Sequence, residues 1–497
     1  GTDEVTCNVC SRLLPPVLLN MMLGKRMEED TEQDALFGEK SSRRTTVAEA
    51  LDQLDVGRFH VQHLLRMILA WVIFAATQES TPYVFQGLRA TFHVDEDSIA
   101  TFAASFPLGC AAGALAASPL LDHLGRRGTL LAILPLAAAV SLAAGMAQNI
   151  LVLNILRTLQ ALAFSIALTG MSAWYIEFLP TSTRGMLMAA YGIGWPIGRA
   201  VVILVAYLVK EQWTHFMDVS MVGFMVLFVS LFLADESPRF LAASGRSGDA
   251  AQVLKRMYES TQRGSWENRA VSPEMHSPVE GRSRARELLL NRENRNLLIF
   301  ASLLFMMLSS TTVLLDTWGP HLYHQLLTPD AAVVPHRILM LFNMGDLAGI
   351  VLSIFLIDHI GRCGSFVIGF FVQGSLLAAL TCLGRSTPAY MLAVACGTLS
   401  SACRCFAWES AQMWTLEVFP TQIRATAFSV AMAVMRFASI LSLKLSAQYV
   451  EVLSAANALR TLAALLILSG FFSTCLLPKE TANVPMTEAS TDEGKAF

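Results

Sequence analysis

The feature that most constrains this chain is a series of twelve apolar runs, each about as long as the 20 residues a helix needs to cross the hydrocarbon core of a bilayer. They lie near 62–85, 98–120, 129–148, 150–176, 185–209, 214–234, 297–317, 335–357, 364–384, 389–416, 425–447 and 454–477. A run of this kind leaves its backbone no solvent partner in lipid, so each must close its own hydrogen bonds as a helix. Charged residues make up only 15% of the 497, against about a quarter in soluble proteins. That deficit excludes an ordinary cytosolic enzyme, and a net charge of −3 gives no footing for a nucleic-acid partner. The expectation is an all-α, multi-pass integral membrane protein.

The charges that remain gather in three places: residues 1–58, a polar segment 235–296 that divides the spans six and six, and 478–497. Outside the helices, bases fall on one side of the alternation, and only Arg89, Lys210, Arg337 and Arg385 fall on the other. Positive charge resists translocation, so both termini and the central segment are expected in the cytoplasm. The segment itself is expected to be helical near 246–260 and 283–296, with loop between. This gives five units: an N-terminal tail 1–58, a six-helix bundle 59–234, a partly helical linker 235–296, a second bundle 297–477 and a C-terminal tail 478–497. The tail carries a lone CxxC, Cys7 and Cys10, with no second pair to complete a metal site. Met27, which opens an acidic stretch, is expected to be the native start.

The two halves repeat one another. Asp122, Gly125 and Arg126 recur 236 residues on as Asp358, Gly361 and Arg362; Glu177, Pro180 and Arg184 recur 240 on as Glu417, Pro420 and Arg424. All six pairs stand at cytoplasmic ends of predicted spans. Glycine permits a tight turn there, and arginine presents a forked donor to a carboxylate. Topology anchoring needs only bases, whereas acids and bases recurring together suit a gate whose ion pairs form and break. Arg127, Glu236 and Arg239 belong to the same expected gate.

These residues resemble the major facilitator superfamily, in its sugar-porter and organic-ion branch. The matching stretches are Asp122–Arg127, Glu177–Gly185, Glu236–Leu241 (ESPRFL), Asp358–Arg362, Glu417–Arg424 and Pro478–Thr481 (PKET). Ala50–Phe59, ALDQLDVGRF, is similar to the stretch before the first helix in synaptic-vesicle relatives. The resemblance implies twelve transmembrane helices in two six-helix halves, a cytoplasmic helical linker, a central cavity and alternating access. The chain departs from the pattern at Cys363, where a second arginine is usual. Its seventh span also lacks the paired glutamines and the asparagine by which sugar porters hold hexoses, so a hexose is the secondary expectation.

Charges inside a membrane are expensive and mark function. They are Glu79, Arg157, Arg199, Asp316, Asp346, Arg404, Glu409, Arg436, Lys444 and Arg460, of which Arg404, Lys444 and Arg460 are expected to snorkel to water. The resemblance implies that Arg157 pairs with Glu79. Glu79 is then expected to carry a coupling proton while Arg157 steadies its ionised form, the alternative being a static salt bridge. Arg436 occupies a position that is basic in organic-anion carriers, which implies a carboxylate substrate; pairing with Asp316 or Glu409 is the alternative. Glu79, Arg157, Asp316, Glu409 and Arg436 are therefore the candidate substrate and proton-coupling residues. No HExxH, GxSxG or phosphate-binding loop occurs, so neither an enzyme nor a metal, nucleotide or other cofactor is expected. The expected function is proton-coupled transport of a small organic solute, possessing as partners only that solute, protons and the lipid bilayer of a plasma or organelle membrane. A monomer is expected, and a transporter-like receptor or scaffold is the alternative of another class.

Overall fold

The computed structural model describes residues 47–180, 183–209, 212–261, 290–327, 336–383, 387–419, 421–452, 454–476 and 480–481. The CxxC pair, Met27 and the predicted helical stretch 283–289 lie outside them. The described residues fall within one unit, Thr45–Phe497.

The first set of helices is α1 (Val47–Asp52), α2 (Arg58–Glu79), α3 (Phe85–Phe92), α4 (Glu96–Leu124), α5 (Arg126–Gly145), α6 (Ile150–Ile176), α7 (Arg184–Tyr191), α8 (Gly194–Val209) and α9 (Thr214–Phe232). Two short helices follow, α10 (Pro238–Ala243) and α11 (Ser247–Thr261). The second set is α12 (Arg292–Leu327), α13 (His336–Ile360), α14 (Arg362–Cys382), α15 (Thr387–Val418), α16 (Thr421–Val452) and α17 (Ala455–Cys475). Eleven of these are long and apolar enough to cross a membrane, and α8 is a shorter apolar helix. With α7 leading into α8, the described helices match the twelve predicted runs.

Local chemistry sets several of the boundaries. Asp95 Oδ1 accepts from Ser98 N at 3.0 Å to open α4, and Asn149 Oδ1 accepts from Val152 N at 2.8 Å to open α6. The first span was expected to run to 85, but α2 ends at Glu79 and a 3-10 turn, Thr81–Val84, follows. Pro82 is the reason: it has no N–H to continue the ladder and it disfavours helical geometry at Thr81. The fifth span was expected to be one helix over 185–209, and it is two. Pro196 cannot donate to Gly192 and its ring crowds that carbonyl. Trp195 N instead reaches Gly192 O at 3.0 Å, and α8 begins afresh at Gly194.

Packing is close within each set: α4 on α6, α5 on α6 and α9, α2 on α8; then α13 and α14 on α15, α14 on α17 and α12 on α16. The repeat reaches into this packing. A Cβ on Gly109 or Gly113 would sit 2.1 Å from Thr158 O or 2.4 Å from Leu162 O. A Cβ on Gly345 or Gly349, again 236 residues on, would sit 2.0 Å from Thr398 O or 2.2 Å from Ala402 O. Small residues let backbones approach where lipid supplies no hydrophobic drive between helices. The two sets meet where α4 packs on α16 and α8 on α13.

Candidate functional site

Five charged side chains from five helices converge between the two sets. Arg199 on α8 donates to Asp346 Oδ2 at 2.5 Å through Nη1, and through Nη2 to Glu79 Oε2 at 2.8 Å and Asp316 Oδ1 at 3.0 Å. Arg404 on α15 donates to both oxygens of Asp346, at 2.8 and 2.9 Å, and to Asp316 Oδ1. Cys405 Sγ adds a contact of 3.4 Å to Asp346 Oδ1. Arg404 is 8% exposed by its side chain and Asp346 2%, so the expectation that Arg404 snorkels to water does not hold. Two guanidiniums facing three carboxylates present enough donors for each other's oxygens to keep all five inside a bundle.

Glu79 and Asp316 thus come together, but Arg157 does not join them. It is fully buried on α6, where Nη2 donates to Thr77 O at 2.9 Å and to Thr81 Oγ1 at 3.1 Å. Its Nη1 donates to Gln160 Oε1 at 2.6 Å, and the guanidinium lies 4.5 Å over the Phe106 ring. The Pro82 break frees the last carbonyls of α2, and a cation at a helix C-terminus satisfies them. Arg157 therefore caps the end of the helix that carries Glu79, and Arg199 takes the place at the carboxylate expected of Arg157.

Arg436 on α16 has no carboxylate partner among the described residues. Asp316, one partner expected of it, is held by Arg199 and Arg404. Arg436 instead lies within electrostatic range of Cys110 on α4. Glu409 on α15, the other expected partner, makes no ion pair among the described residues and lies within range of Tyr191, the last residue of α7. Neither joins the five-residue cluster.

A cavity of about 70 Å³ opens beside the cluster, lined by Glu79, Tyr83 and Arg199 from the first set and by Asp316, Tyr323, Asn343, Gln373, Ser400, Ser401 and Arg404 from the second. That is about half the roughly 150 Å³ of a cavity that admits benzene. An organic solute needs these walls to move apart.

The expected gate residues form two matching arrays. Arg126 Nε donates to Glu177 Oε1 at 2.9 Å, and Arg362 Nε to Glu417 Oε2 at 3.0 Å. Gly125 and Gly361 take φ of 82° and 88°, the left-handed region that favours glycine. Glu236 accepts from the N–H groups of Arg127 and Gly128 at 3.1 and 3.4 Å, at the start of α5. Glu480 accepts from those of Arg362 and Cys363 at 2.8 and 2.9 Å, at the start of α14. A carboxylate there meets both the unpaired N–H groups and the positive end of the helix. Arg127 closes the end of α9, donating to Leu231 O and Phe232 O. Arg239 lies within electrostatic range of Glu177. The side chains of Asp122, Arg184, Asp358 and Arg424 lie outside the described residues. Burial pushes the Glu177 carboxyl above its usual range, against the pull of Arg126.

Among the residues the sequence left out of its candidate site, Arg199, Asp346 and Arg404 carry most of the cluster. The signal was present as charges inside apolar spans; their pairing was not, since it joins residues up to 147 apart in the chain.

A duplicated set of twelve apolar helices around a charged cavity defines a membrane transporter of the major facilitator fold. The model of the sugar (and other) transporter family matches residues 61–492, and the chain belongs to that family. It is 22% identical over 488 residues to the organic cation/carnitine transporter 7 of Arabidopsis thaliana, covering 90% of this chain and 96% of that one. It is 26% identical over 338 residues to a gallate transporter of Pseudomonas putida, covering 67% and 73%. It is 29% identical over 186 residues to the galactose-proton symporter of Escherichia coli, covering 36% and 38%. Among solved structures, the inward-open xylose transporter XylE of Escherichia coli superimposes with a TM-score of 0.67 at 15% identity, covering 86% of this chain and 98% of that one. The protein is an integral, multi-pass membrane transporter of small organic solutes.

Proposed function

We propose that the protein couples the movement of a small organic anion to that of a proton by alternating access, with Glu79 as the proton carrier. The carrying observation is the imbalance at the centre: three carboxylates share two guanidiniums. One proton neutralises the excess. Glu79 is the least held of the three acids, with one bond from Arg199, whereas Asp316 has two and Asp346 is gripped from both sides. It therefore gives up least on protonation. Because the cluster draws α2 and α8 towards α12, α13 and α15, taking up the proton loosens the seam between the halves.

Arg436 supports the anion, because no carboxylate among the described residues neutralises it and a guanidinium can grip a carboxylate with two parallel bonds. The gallate transporter among the relatives handles such a compound by name. The distribution of bases puts both termini and the linker in the cytoplasm, and a division at the polar segment 235–296 makes the two bundles the rocking units.

Purified protein in vesicles with an imposed pH gradient tests the coupling. Wild type is expected to accumulate a carboxylate above equilibrium, and Glu79→Gln to equilibrate it without accumulation. Accumulation by Glu79→Gln with unchanged pH dependence would contradict the proton role. Inhibition of uptake by quaternary amines, with carboxylates ineffective, would contradict the role given to Arg436.

A further inference from the structure

Away from the centre, at the end of the molecule expected outside the cytoplasm, aromatic rings join the two sets. Phe85, the first residue of α3, packs against Trp318 of α12 with ring centroids 5.6 Å apart, and Leu88 and Leu322 belong to the same buried core. Helical spacing carries the pairing onward. Arg89 stands four residues after Phe85 and His321 three after Trp318, so each lies one turn further along the facing sides of the two helices. With 36 residues at 1.5 Å each, α12 is about 54 Å long against a hydrocarbon core of about 30 Å. His321 stands past the apolar run that ends near 317.

Among the described residues, the charged and titratable groups in electrostatic range of His321 are Arg89 on α3, Glu96 on α4 and His324 on its own helix. Glu96 is already engaged: both its oxygens accept from Arg89 Nη2 at 2.6 Å, while Arg89 Nε is buried with no acceptor. Gln325 Nε2 donates to His321 Nε2 at 2.9 Å, a bond that requires a lone pair and so a neutral ring. Protonation of the ring removes that bond and sets a second cation beside Arg89. Burial and the Arg89 charge, against the pull of Glu96, hold the imidazole below its usual range.

We propose that His321 is an external acid switch on this seam: the protonated ring favours separation of α3 from α12, and with it the state open to the outside. When the seam parts, the ring meets water in place of Arg89 and takes a proton with ordinary histidine affinity. The open state therefore binds the proton more tightly than the closed one, and acid draws the population towards it. The closed seam is at full strength above the ordinary histidine range and weakens as external pH falls below it. The carrier then presents its central site to the side where protons are plentiful. This switch is separate from the proton role given to Glu79 and acts whether or not that residue carries the coupled proton.

Backbone hydrogen–deuterium exchange on the full chain in detergent, at about pH 5 and about pH 8, tests the switch. Comparing variants at one pH cancels the intrinsic chemical rate. His321→Gln keeps an acceptor for Gln325 and never charges, whereas His321→Lys is charged at both pH values. Exchange in α3 and in the last turn of α12 is expected to match between wild type and His321→Gln at the higher pH. At the lower pH wild type is expected to exchange faster by about twofold to fivefold, the range that a partly exposed charge contact supplies. His321→Lys is expected to exchange fast at both. The same differences are expected in a Glu79→Gln background, so failure of the proton role given to Glu79 leaves the switch standing. Equal exchange by wild type and His321→Gln in acid would overturn it. Slower exchange in His321→Lys would do so as well, since Glu96 would then attract the charge more than Arg89 repels it. A difference that vanished in the Glu79→Gln background would make the sensing depend on Glu79, and would also overturn the switch.

Discussion

Two arginines inside the first set of helices have different tasks, and the difference lies in what each one touches. Arg157 faces carbonyl, hydroxyl and amide oxygens around the end of α2, whereas Arg199 faces three carboxylates. Removing Arg157 orphans buried acceptors at about 1–3 kcal/mol each. Arg157→Ala is therefore expected to lower the thermal transition in detergent, while any protein that folds keeps the wild-type pH dependence of uptake. Arg199→Ala is expected to abolish gradient-driven accumulation. The opposite assignment would require the two variants to exchange these phenotypes. A glycine gives the second residue-scale prediction. A Cβ on Gly125 would lie 2.7 Å from Glu236 Oε2 at a φ of 82°, whereas one on Gly128 meets nothing nearer than 3.9 Å. Gly125→Ala should cost about 1–3 kcal/mol from the backbone alone, with Gly128→Ala near neutral in the same melting assay. The charges of the centre were legible in the sequence, because an ionised side chain inside an apolar run stands out. Which arginine meets Glu79 was not: it depends on a break at Pro82 that turns the end of α2 into a set of acceptors for Arg157.

Among the elements, the ion pair from Arg126 to Glu177 ties the start of α5 to the end of α6 and gives a pH prediction. Burial raises the Glu177 carboxyl above its ordinary range. The folded chain therefore takes up this proton at a higher pH than the unfolded chain does. Its contribution to stability is greatest below the ordinary glutamate range and is lost as pH rises through the raised value. Melting profiles of wild type against Glu177→Gln should converge or favour wild type on acidification and favour the variant at neutral pH; a difference that did not vary with pH would contradict this. The helices themselves were the most legible level, since an uninterrupted apolar run in lipid has a single backbone solution. The split between α7 and α8 was less so, because the apolar character of 185–209 continues across it and only the geometry of Pro196 and the close approach of Gly194 and Gly198 to α2 reveal it. The repeat was visible at the helix ends as charged motifs, but the matching glycine pairs on α4 and α13 carry no charge and emerge only from the packing.

For the molecule as a whole, the contacts between the two sets sort by position along the helices. At one end of the α4 and α16 seam, Lys444 Nζ meets Asp97 Oδ1 at 3.2 Å and also bonds Thr101 Oγ1. Lys444 was expected to snorkel to water; it reaches across to the other set while remaining partly exposed. An exposed pair is worth up to about 1 kcal/mol, so Lys444→Ala should shift the balance between the two access states by no more than about fivefold. Hydrogen–deuterium exchange at the ends of α4 and α16 reads that shift, and exchanging the charges of Asp97 and Lys444 should restore the wild-type balance. The arrays at the helix ends, Arg126 with Glu177 and Arg362 with Glu417, lie within their own sets, whereas the five-residue centre and the α4–α16 and α8–α13 seams join the two sets. In the proposed mechanism, coupling resides where both sets share charge. Adding solute to unbuffered vesicles that contain the protein, and recording the external pH as uptake proceeds, measures this outright. Alkalinisation in step with uptake by wild type, and uptake without any pH change by Glu79→Gln, is the predicted result; solute entry through wild type with no proton movement, or an undiminished proton signal in the variant, would contradict it.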